Sequence, residues 1–465
     1  MTSAAMAPAS RGFLRTPGLK FFLIGLLALL LMIPLAFVSS LQTERSMRAA
    51  SVASEISGTW ASEQTLTGPF LLVPYTARDS TVPRVAVVLP DDLNVQGDVA
   101  AERRQRSIYS TTLYRNRATV KATFPPVDLS RVDSQFKEAQ WSEAVLALGL
   151  SDLRGLKERV TVALGDGRSP AFEPSIGSRM LNLDGIHASL AGIDLARPLA
   201  ATIELTYNGS QALTFAPLGR LTSVAVKADW PHPSFVGGFL PDERRIDEAG
   251  FAATWRVSHL ARSVPQWSQL GSGTVDMFRR SQLGVRFYNP VDLYQMVERA
   301  LKYAVFPIGA VFLTVFAVEL IARRSVHPVQ YVLVGLALVM FYVLLLSLAE
   351  HIGFVRAYAT AAVPTVLLIS TYTFVSLGGL RRAAVLAAVL SVSYVLIYVL
   401  LRSEDYALLA GALAAFAALA ALMLGTARVD WSGVTADVTE FAVNTVSDAR
   451  PAPSAGTAQH TREVP

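Results

Sequence analysis

FFLIGLLALLLMIPLAFV, residues 21–38, is a run of 18 uncharged positions that follows Arg11, Arg15 and Lys20. The run is longer than the apolar core of a cleaved signal peptide. It is close to the roughly 20 residues that a helix needs to cross about 30 Å of hydrocarbon. We therefore predict an uncleaved signal anchor, with a cleavable signal ending near Ser39-Ser40 as the alternative.

Five further apolar stretches of similar length lie in the last third of the chain. They are Tyr303–Ile321, Val329–Ala349, Ala357–Leu380, Ala383–Leu401 and Tyr406–Ala427. We expect each to be a helix, because inside lipid every backbone amide needs an internal hydrogen-bond partner. The sequence therefore predicts six spans, namely the signal anchor and a C-terminal bundle of five transmembrane helices.

The composition agrees with a membrane protein. Of the 465 residues, 52% are hydrophobic and only 17% are charged, whereas soluble domains carry roughly 25% charged residues. The chain has no cysteine, which excludes disulfide scaffolds, thiolate metal sites and cysteine nucleophiles. The net charge of +5 raises the question of a nucleic-acid partner, which the positions of the charges must answer.

Lys and Arg residues in the short loops predict the orientation of the chain. With a cytoplasmic N-terminus, only Arg356 and Arg402 fall in the short outer loops. The inner side then holds Arg11, Arg15, Lys20, Arg323, Arg324, Arg381, Arg382 and Arg428. Both termini are therefore expected in the cytoplasm, and this asymmetry explains the basic charge without nucleic acid. The predicted segments are cytoplasmic 1–18, signal anchor 19–41, periplasmic domain 42–302, transmembrane bundle 303–427 and a cytoplasmic, mostly disordered tail 428–465.

The predicted outer segment carries strand patterns. Ile203, Leu205 and Tyr207 alternate with polar residues, which is the period of two of a half-buried strand. The same alternation recurs in Val120–Phe124, Val160–Leu164, Val224–Ala228 and Phe251–Val257. Many such strands and few helices favour an antiparallel, sandwich-like β-fold. The predicted fold class is an α+β membrane protein with a signal-anchor helix, a large β-rich domain and five C-terminal helices.

Local signals predict four further features of this segment. Residues 42–60 should continue the first span as a charged helix, and a second helix is expected over Ser134–Leu148. Ser151-Asp152 is typical of the cap of a short helix, and Asn208-Gly209 is typical of a turn.

The sequence carries none of the common catalytic or nucleotide-binding motifs. It has no Walker loop, no GxSxG elbow and no HExxH helix, and its six histidines show no i,i+3 or i,i+4 pair. We therefore assign no catalytic, cofactor-binding or metal-binding residue and predict a protein that is not an enzyme.

Polar residues at the predicted outer ends of the spans form a candidate functional rim. They are Glu350, His351, Arg356, Arg402, Glu404 and Asp405. Two interpretations stay open: a solvated set of loop charges, or a patch that docks the outer domain or binds a lipid headgroup or ion. At the inner end of the second span, Glu319 is expected to pair with Arg323 at i,i+4.

Trp230-Pro-His-Pro-Ser-Phe235 is the second candidate site. Its two prolines fix φ and remove backbone donors, which is typical of a stiff corner that ends a strand. The alternative is a partner-binding loop that displays Trp230, His232 and Phe235, because exposed aromatic side chains on a rigid loop make good interface anchors.

Several contiguous motifs resemble one known family. They are HPVQYVLVGLA (residues 327–337), Phe341-Tyr342, LLLSLAEHIGF (residues 344–354), EDYALL (residues 404–409), Asn208-Gly-Ser210, WPHPSF (residues 230–235), Gly250-Phe251, Leu283-Gly-Val285 and NPVDLY (residues 289–294). Together they resemble the inner-membrane protein CreD family over nearly the whole chain up to Trp431. The resemblance implies a bacterial inner-membrane protein linked to cell-envelope integrity. In some bacteria the family belongs to the regulon of the CreBC two-component system, and it is associated with tolerance to colicins or β-lactams. It brings no catalytic residues.

We therefore predict a non-enzymatic inner-membrane protein that supports envelope integrity and the envelope stress or antibiotic response through its periplasmic domain. The alternative is a transporter or lipid-handling protein whose outer mouth is the polar rim. A periplasmic hydrolase comes last, because it would need an acid–base pair such as Glu204 and Asp229. The expected partners are the lipid bilayer and either other envelope proteins or lipid headgroups. No cofactor is expected, and the oligomeric state stays open.

Overall fold

Most of the helices lie in a different part of the chain from the strands in the structure, a computed structural model. It describes residues 17–177, 183–271, 273–288, 293–322 and 326–402, and isolated positions between 409 and 424. Residues 45–292 form one unit, the β-unit, and residues 1–44 together with 293–465 form a second, the helical unit.

The described residues contain eight α-helices, of which only α3 lies wholly inside the β-unit. They are α1 Pro17–Leu30, α2 Met32–Trp60, α3 Thr274–Arg280, α4 Leu293–Lys302, α5 Val305–Ala322, α6 Pro328–Ile352, α7 Phe354–Leu377 and α8 Leu380–Arg402. The predicted charged helix over residues 42–60 is confirmed, because α2 continues to Trp60.

Four helical segments are long and apolar enough to cross a membrane, within the part of the chain that the structure describes. They are Lys20–Trp60, Pro328–Ile352, Phe354–Ser376 and Leu380–Arg402, and the pair Leu293–Lys302 and Val305–Glu319, bent by 40°, makes a fifth if it is one span. These segments coincide with the first five predicted spans. The sixth, Tyr406–Ala427, falls largely outside the described residues, so a count of six remains a prediction.

Local sequence explains where the central helices begin and end. His327 caps α6: its Nδ1 accepts a hydrogen bond from the backbone N–H of Val329, and the Gln330 side chain accepts one from the N–H of His327. Gly353, with φ of +79°, ends α6 and leads directly into α7. Because this connection is so short, α6 and α7 pack as neighbours.

Seventeen strands are described in the β-unit. They are β1 Gln64–Ala77, β2 Ser80–Val88, β3 Asp92–Arg106, β4 Tyr109–Phe124, β5 Phe136–Ala139, β6 Val145–Leu150, β7 Val162–Leu164, β8 Glu173–Pro174, β9 Gly185–Ser189, β10 Leu199–Ser210, β11 Ala212–Ala216, β12 Leu221–Ala228, β13 Pro233–Gly237, β14 Glu243–Asp247, β15 Gly250–Ser258, β16 Trp267–Gln269 and β17 Leu283–Phe287.

The strands form two sheets around one core. The larger sheet has ten strands with the main order β13-β17-β11-β1-β6-β9-β8, and the smaller has the order β14-β15-β12-β3-β4-β10-β7. Nearly all described pairings are antiparallel; β1 with β11 and β3 with β12 are parallel. Buried side chains of both sheets, such as Leu71, Val120 and Trp255, belong to a single hydrophobic cluster, as in a β-sandwich.

The predicted alternation is confirmed in five strands, β4, β7, β10, β12 and β15. The predicted helix over Ser134–Leu148 is wrong: β5, a short 3₁₀ turn and β6 occupy these residues. Strand β6 lies between β1 and β9, and nearly all of its side chains are buried. A strand buried on both faces has a continuous apolar sequence, which does not differ from that of a buried helix.

The predicted turn at Asn208-Gly209 is also misplaced. Both residues lie inside β10, and the chain bends at Gln211, whose φ is +58°, where it passes to β11 of the other sheet. Gly209 is needed for packing instead, because a Cβ there would lie 2.4 Å from the ring of Tyr114. The cap at Asp152 is confirmed: its side chain accepts a hydrogen bond from the backbone N–H of Arg154 and begins a 3₁₀ turn.

Candidate functional site

A cavity of about 660 Å³ lies on the outer face of the seven-stranded sheet of the β-unit. Its floor is formed by β3, β4 and β12, and Trp60 at the end of α2 and Ala249 before β15 also line it. Successive side chains of a strand point to opposite faces. Val99 is therefore buried in the core, whereas its neighbour Asp98 is exposed toward the cavity.

Strand register places three charges in one row of the cavity floor. Asp98 of β3 is paired with Arg117 of β4 on one side and with Lys227 of β12 on the other. Within the described part of the chain, none of these three side chains makes a hydrogen bond or an ion pair. The row therefore presents two cations and one carboxylate to solvent.

The other charged groups of the cavity already have partners. Arg104 lies 3.1 Å from the Glu102 carboxylate, and its guanidinium stacks 5.7 Å from the centroid of the Trp60 ring. Asp229 accepts a hydrogen bond from the backbone N–H of Ala101 at 2.7 Å. The Trp60 indole N–H donates to the carbonyl oxygen of Tyr114 at 3.3 Å, which fixes the ring at the cavity wall.

Sequence reasoning missed this cavity. The residues come from distant segments, and the only local signal was the alternation of cationic with buried residues around Arg115 and Arg117.

The structure also bears on the hydrolase alternative. Glu204 of β10 is paired with Thr119 of β4, whereas Asp229 follows β12, three strands from β10. At about 4.8 Å per strand the backbones of Glu204 and Asp229 are more than about 14 Å apart, too far for a shared acid–base step.

One member of the predicted polar rim is built into the helical unit. Glu350 is half-buried and accepts a hydrogen bond from the Tyr294 hydroxyl at 3.0 Å. Gln42 in turn donates to the backbone carbonyl of Tyr294 at 3.0 Å. The carboxylate thus belongs to a polar contact that ties α2, α4 and α6 together.

The other described members of the rim interact only with their own helices or with solvent. The Nδ1 of His351 lies 3.0 Å from the carbonyl oxygen of Ser347, and the Arg402 guanidinium lies over the Tyr398 ring at 5.8 Å. Arg356 is exposed. Glu404 and Asp405 fall outside the described residues. A functional role for the rim therefore stays a prediction.

The predicted loop places its aromatic side chains against the β-unit rather than in solvent. The Trp230 indole donates to the Tyr288 carbonyl oxygen at 3.0 Å, and Phe235 contacts the ring of Trp255 with centroids 5.7 Å apart. Only His232 is exposed. The chain does turn sharply here, but Pro233 already begins β13. A partner-binding role for Trp230, His232 and Phe235 stays a prediction, with His232 as its accessible part.

A buried ion pair lies in the helical unit. Lys20 of α1 contacts the carboxylate of Glu319 in α5, and both side chains are largely buried. Glu319 also accepts hydrogen bonds from the backbone N–H of Val326 at 3.0 Å and from the Tyr331 hydroxyl at 2.9 Å. The partner expected from the sequence, Arg323, falls outside the described residues. Among those described, no group of three or more His, Asp or Glu side chains has the arrangement of a metal site.

One long apolar helix precedes the two-sheet β-unit in the chain, and several more follow it. This arrangement defines a multi-helix membrane protein with a large β-domain. The comparisons with known proteins identify the family. Residues 16–432 match the family model of the inner membrane protein CreD. The inner membrane protein CreD of Escherichia coli (strain K12) is 31% identical over 414 residues, which cover 87% of this chain and 91% of that protein. The chain therefore belongs to the CreD family of inner membrane proteins.

Proposed function

We propose that this protein supports the integrity of the bacterial cell envelope under stress, without catalysing a reaction, through a β-domain on the periplasmic side. Membership of an inner-membrane family and the apolar helices support the location. The Lys and Arg residues of the short loops support a periplasmic position for the segment between the first two spans.

The cavity of the β-unit is the observation that carries this proposal. A concave site of several hundred Å³, lined by a fixed indole and by charged side chains, is typical of ligand recognition. Arg117, Asp98 and Lys227 are held in register by three neighbouring strands, so their backbone positions are rigid. A rigid scaffold with exposed charges favours binding of an envelope component.

Complementation tests the proposal. Cells that lack the gene are challenged with detergent and with a cell-wall antibiotic, and are then given wild type or an Arg117→Gln/Lys227→Gln variant at matched abundance in the membrane. Lys121→Gln is the matched control, because Lys121 is exposed on the same face of β4 but does not line the cavity. We expect wild type and the control to restore resistance and the double variant to fail.

Two outcomes contradict the proposal. If cells without the gene are as resistant as wild type, the protein does not support envelope integrity under these challenges. If the double variant restores resistance fully, the cavity is not the surface through which it acts.

A transporter or lipid-handling protein is the second candidate, and the half-buried Glu350 favours it, because a carboxylate held between helices at the end of a membrane span can line the mouth of a transport or ligand site. A Glu350→Gln/His351→Gln variant in the same assay separates the two candidates. Failure of this variant, together with rescue by the Arg117→Gln/Lys227→Gln variant, would favour the rim over the β-domain.

A further inference from the structure

The cavity on the seven-stranded sheet has the chemistry of a specific kind of ligand site. Its volume of about 660 Å³ lies within the range of about 300–1,000 Å³ that is usual for small-molecule sites. All of its described lining residues belong to the β-unit. The cavity is therefore complete within one folded unit.

The charged side chains of the cavity carry one positive charge in excess. The described lining residues include four cations, Arg104, Arg115, Arg117 and Lys227, and three carboxylates, Asp98, Glu102 and Asp229. Glu102 pairs with Arg104, and Asp229 accepts a hydrogen bond from the backbone N–H of Ala101. Such an excess favours a ligand with a carboxylate or phosphate group.

The spacing of the row allows two side chains to act on one group. Neighbouring strands are about 4.8 Å apart, so the backbones of Arg117 and Lys227 are separated by roughly 10 Å, with Asp98 between them. Both cationic side chains are long and exposed, and they can converge above Asp98. Asp98 then offers acceptor oxygens to a hydroxyl group that lies beside the bound anion.

Trp60 supplies the third element of recognition. Its indole is held at the cavity wall by the Tyr114 carbonyl oxygen, and Arg104 lies over the ring. A fixed aromatic ring beside charged groups offers apolar contact to a ring-shaped ligand at little cost in side-chain entropy.

We propose that this cavity binds an acidic sugar, that is, a hydroxylated ring with one carboxylate or phosphate group. Arg117 and Lys227 hold the anionic group, Asp98 accepts a hydrogen bond from a ring hydroxyl, and the sugar ring lies against Trp60. This inference deepens the proposed function, and rests on it only for the physiological role of the binding.

The test is equilibrium binding to the full chain, purified into nanodiscs of phosphatidylcholine, so that no anionic lipid competes. The probes are N-acetylmuramic acid, glucose 6-phosphate, neutral N-acetylglucosamine and inorganic phosphate. Saturation-transfer NMR detects contact of each probe with the protein, and titration gives its Kd. We expect at least one of the two acidic sugars to bind at least tenfold more tightly than both the neutral sugar and inorganic phosphate. Comparison of these two sugars shows whether a carboxylate or a phosphate is preferred.

Matched variants locate the site. Arg117→Gln/Lys227→Gln should weaken binding of the acidic sugar at least tenfold, whereas Lys121→Gln should leave its Kd unchanged. Circular dichroism and elution volume verify that both variants are folded. Higher salt should weaken binding to wild type, because exposed cations hold the anionic group.

Three results would overturn the inference: no saturable binding of either acidic sugar at millimolar concentration, equal binding of neutral and acidic sugars, or equal binding to wild type and the double variant. Inorganic phosphate that binds as tightly as the acidic sugars would overturn the role of the ring. Because binding is measured on purified protein, acidic-sugar binding without any envelope phenotype would refute the proposed function while leaving the site established.

Discussion

Replacing Glu319 with alanine should release the first helix from the rest of the helical unit. The Glu319 carboxylate is almost fully buried and accepts hydrogen bonds from Lys20, from the N–H of Val326 and from the Tyr331 hydroxyl. The Lys20 side chain is only 14% exposed, so its ammonium group would lose a counter-charge in a site with little water.

The expected cost follows from this burial. Removing one partner of a buried ion pair costs about 3–5 kcal/mol, mainly because the other charge is left uncompensated. The Tyr331 hydroxyl and the Val326 N–H also lose their acceptor, at about 1–3 kcal/mol for an unsatisfied buried group, and this cost overlaps with the first. We therefore expect local opening of α1 to become easier by about 3–5 kcal/mol, or at least a hundredfold in the opening equilibrium.

Cysteine labelling measures this opening, because the natural chain contains no cysteine. Leu31, between α1 and α2, is 4% exposed and contacts Gly335 of α6. The rate at which maleimide labels a Leu31→Cys protein in detergent micelles therefore reports how often this contact opens. Glu298→Ala is the control, because its ion pair with Lys302 is exposed and should contribute roughly 0.3–0.5 kcal/mol.

A double-mutant cycle isolates the pair. Lys20→Met alone and Glu319→Ala alone should each accelerate labelling strongly, whereas the two together should accelerate it by much less than the product of the single effects. The reasoning is refuted if maleimide labels Leu31→Cys/Glu319→Ala at a rate within threefold of that of Leu31→Cys alone. It is also refuted if the effects of the Lys20 and Glu319 substitutions on this rate simply multiply.

Three further predictions concern the β-unit, and hydrogen exchange of the full chain measures each one. Asp152→Asn should destabilise it by roughly 1.5–3 kcal/mol, because the buried carboxylate accepts charge-assisted hydrogen bonds. Hydrogen bonds from Arg154 and Ser62 hold the pKa of Asp152 below its usual value. This stability is therefore present above about pH 4 and lost as pH falls through the folded pKa. The difference in free energy of unfolding between wild type and Asp152→Asn should therefore shrink in acid. Gly209→Ala should cost about 1–3 kcal/mol by overlap with Tyr114, whereas Gly58→Ala, with open space around a helical position, should be neutral or slightly stabilising. Hydrogen exchange in Gly209→Ala at the wild-type rate would show that a Cβ at this position does not disturb Tyr114. Arg262→Lys should cost about 1–3 kcal/mol, because the buried guanidinium donates to carbonyl oxygens that a lysine cannot satisfy together. Hydrogen exchange as slow as in wild type would show that these hydrogen bonds of the guanidinium are not needed for stability. Burial lowers the pKa of Arg262 to about 10, so it is still charged at neutral pH.

Local patterns predicted much of the secondary structure. The strand around Ile203 was recognised because its apolar side chains face one core at a period of two. The same reasoning failed at residues 145–150, where both faces of β6 are covered and the periodicity is lost. It failed again at Asn208-Gly209, where a sequence typical of turns serves the close packing of Gly209 on Tyr114.

The candidate sites were predicted less completely than the elements that carry them. The place of Glu350 at the end of a span marks it in the sequence, but nothing local indicates its contact with Tyr294. The sequence allows Trp230 and Phe235 to be exposed anchors, whereas the structure places both against the β-unit. Whether a side chain on a loop faces solvent or core depends on elements that its own neighbours in sequence do not reveal.

By itself, the sequence determined which segments are apolar enough to cross a bilayer and which strands alternate, because hydrophobic length and periodicity are properties of neighbouring residues. Only the tertiary structure decided that Lys20 pairs with Glu319, which is 299 positions away, and that Arg117 and Lys227 flank Asp98. These contacts depend on helix packing and strand register. A shift of one residue in register would turn each strand side chain to the opposite face of the sheet and remove the cavity row altogether.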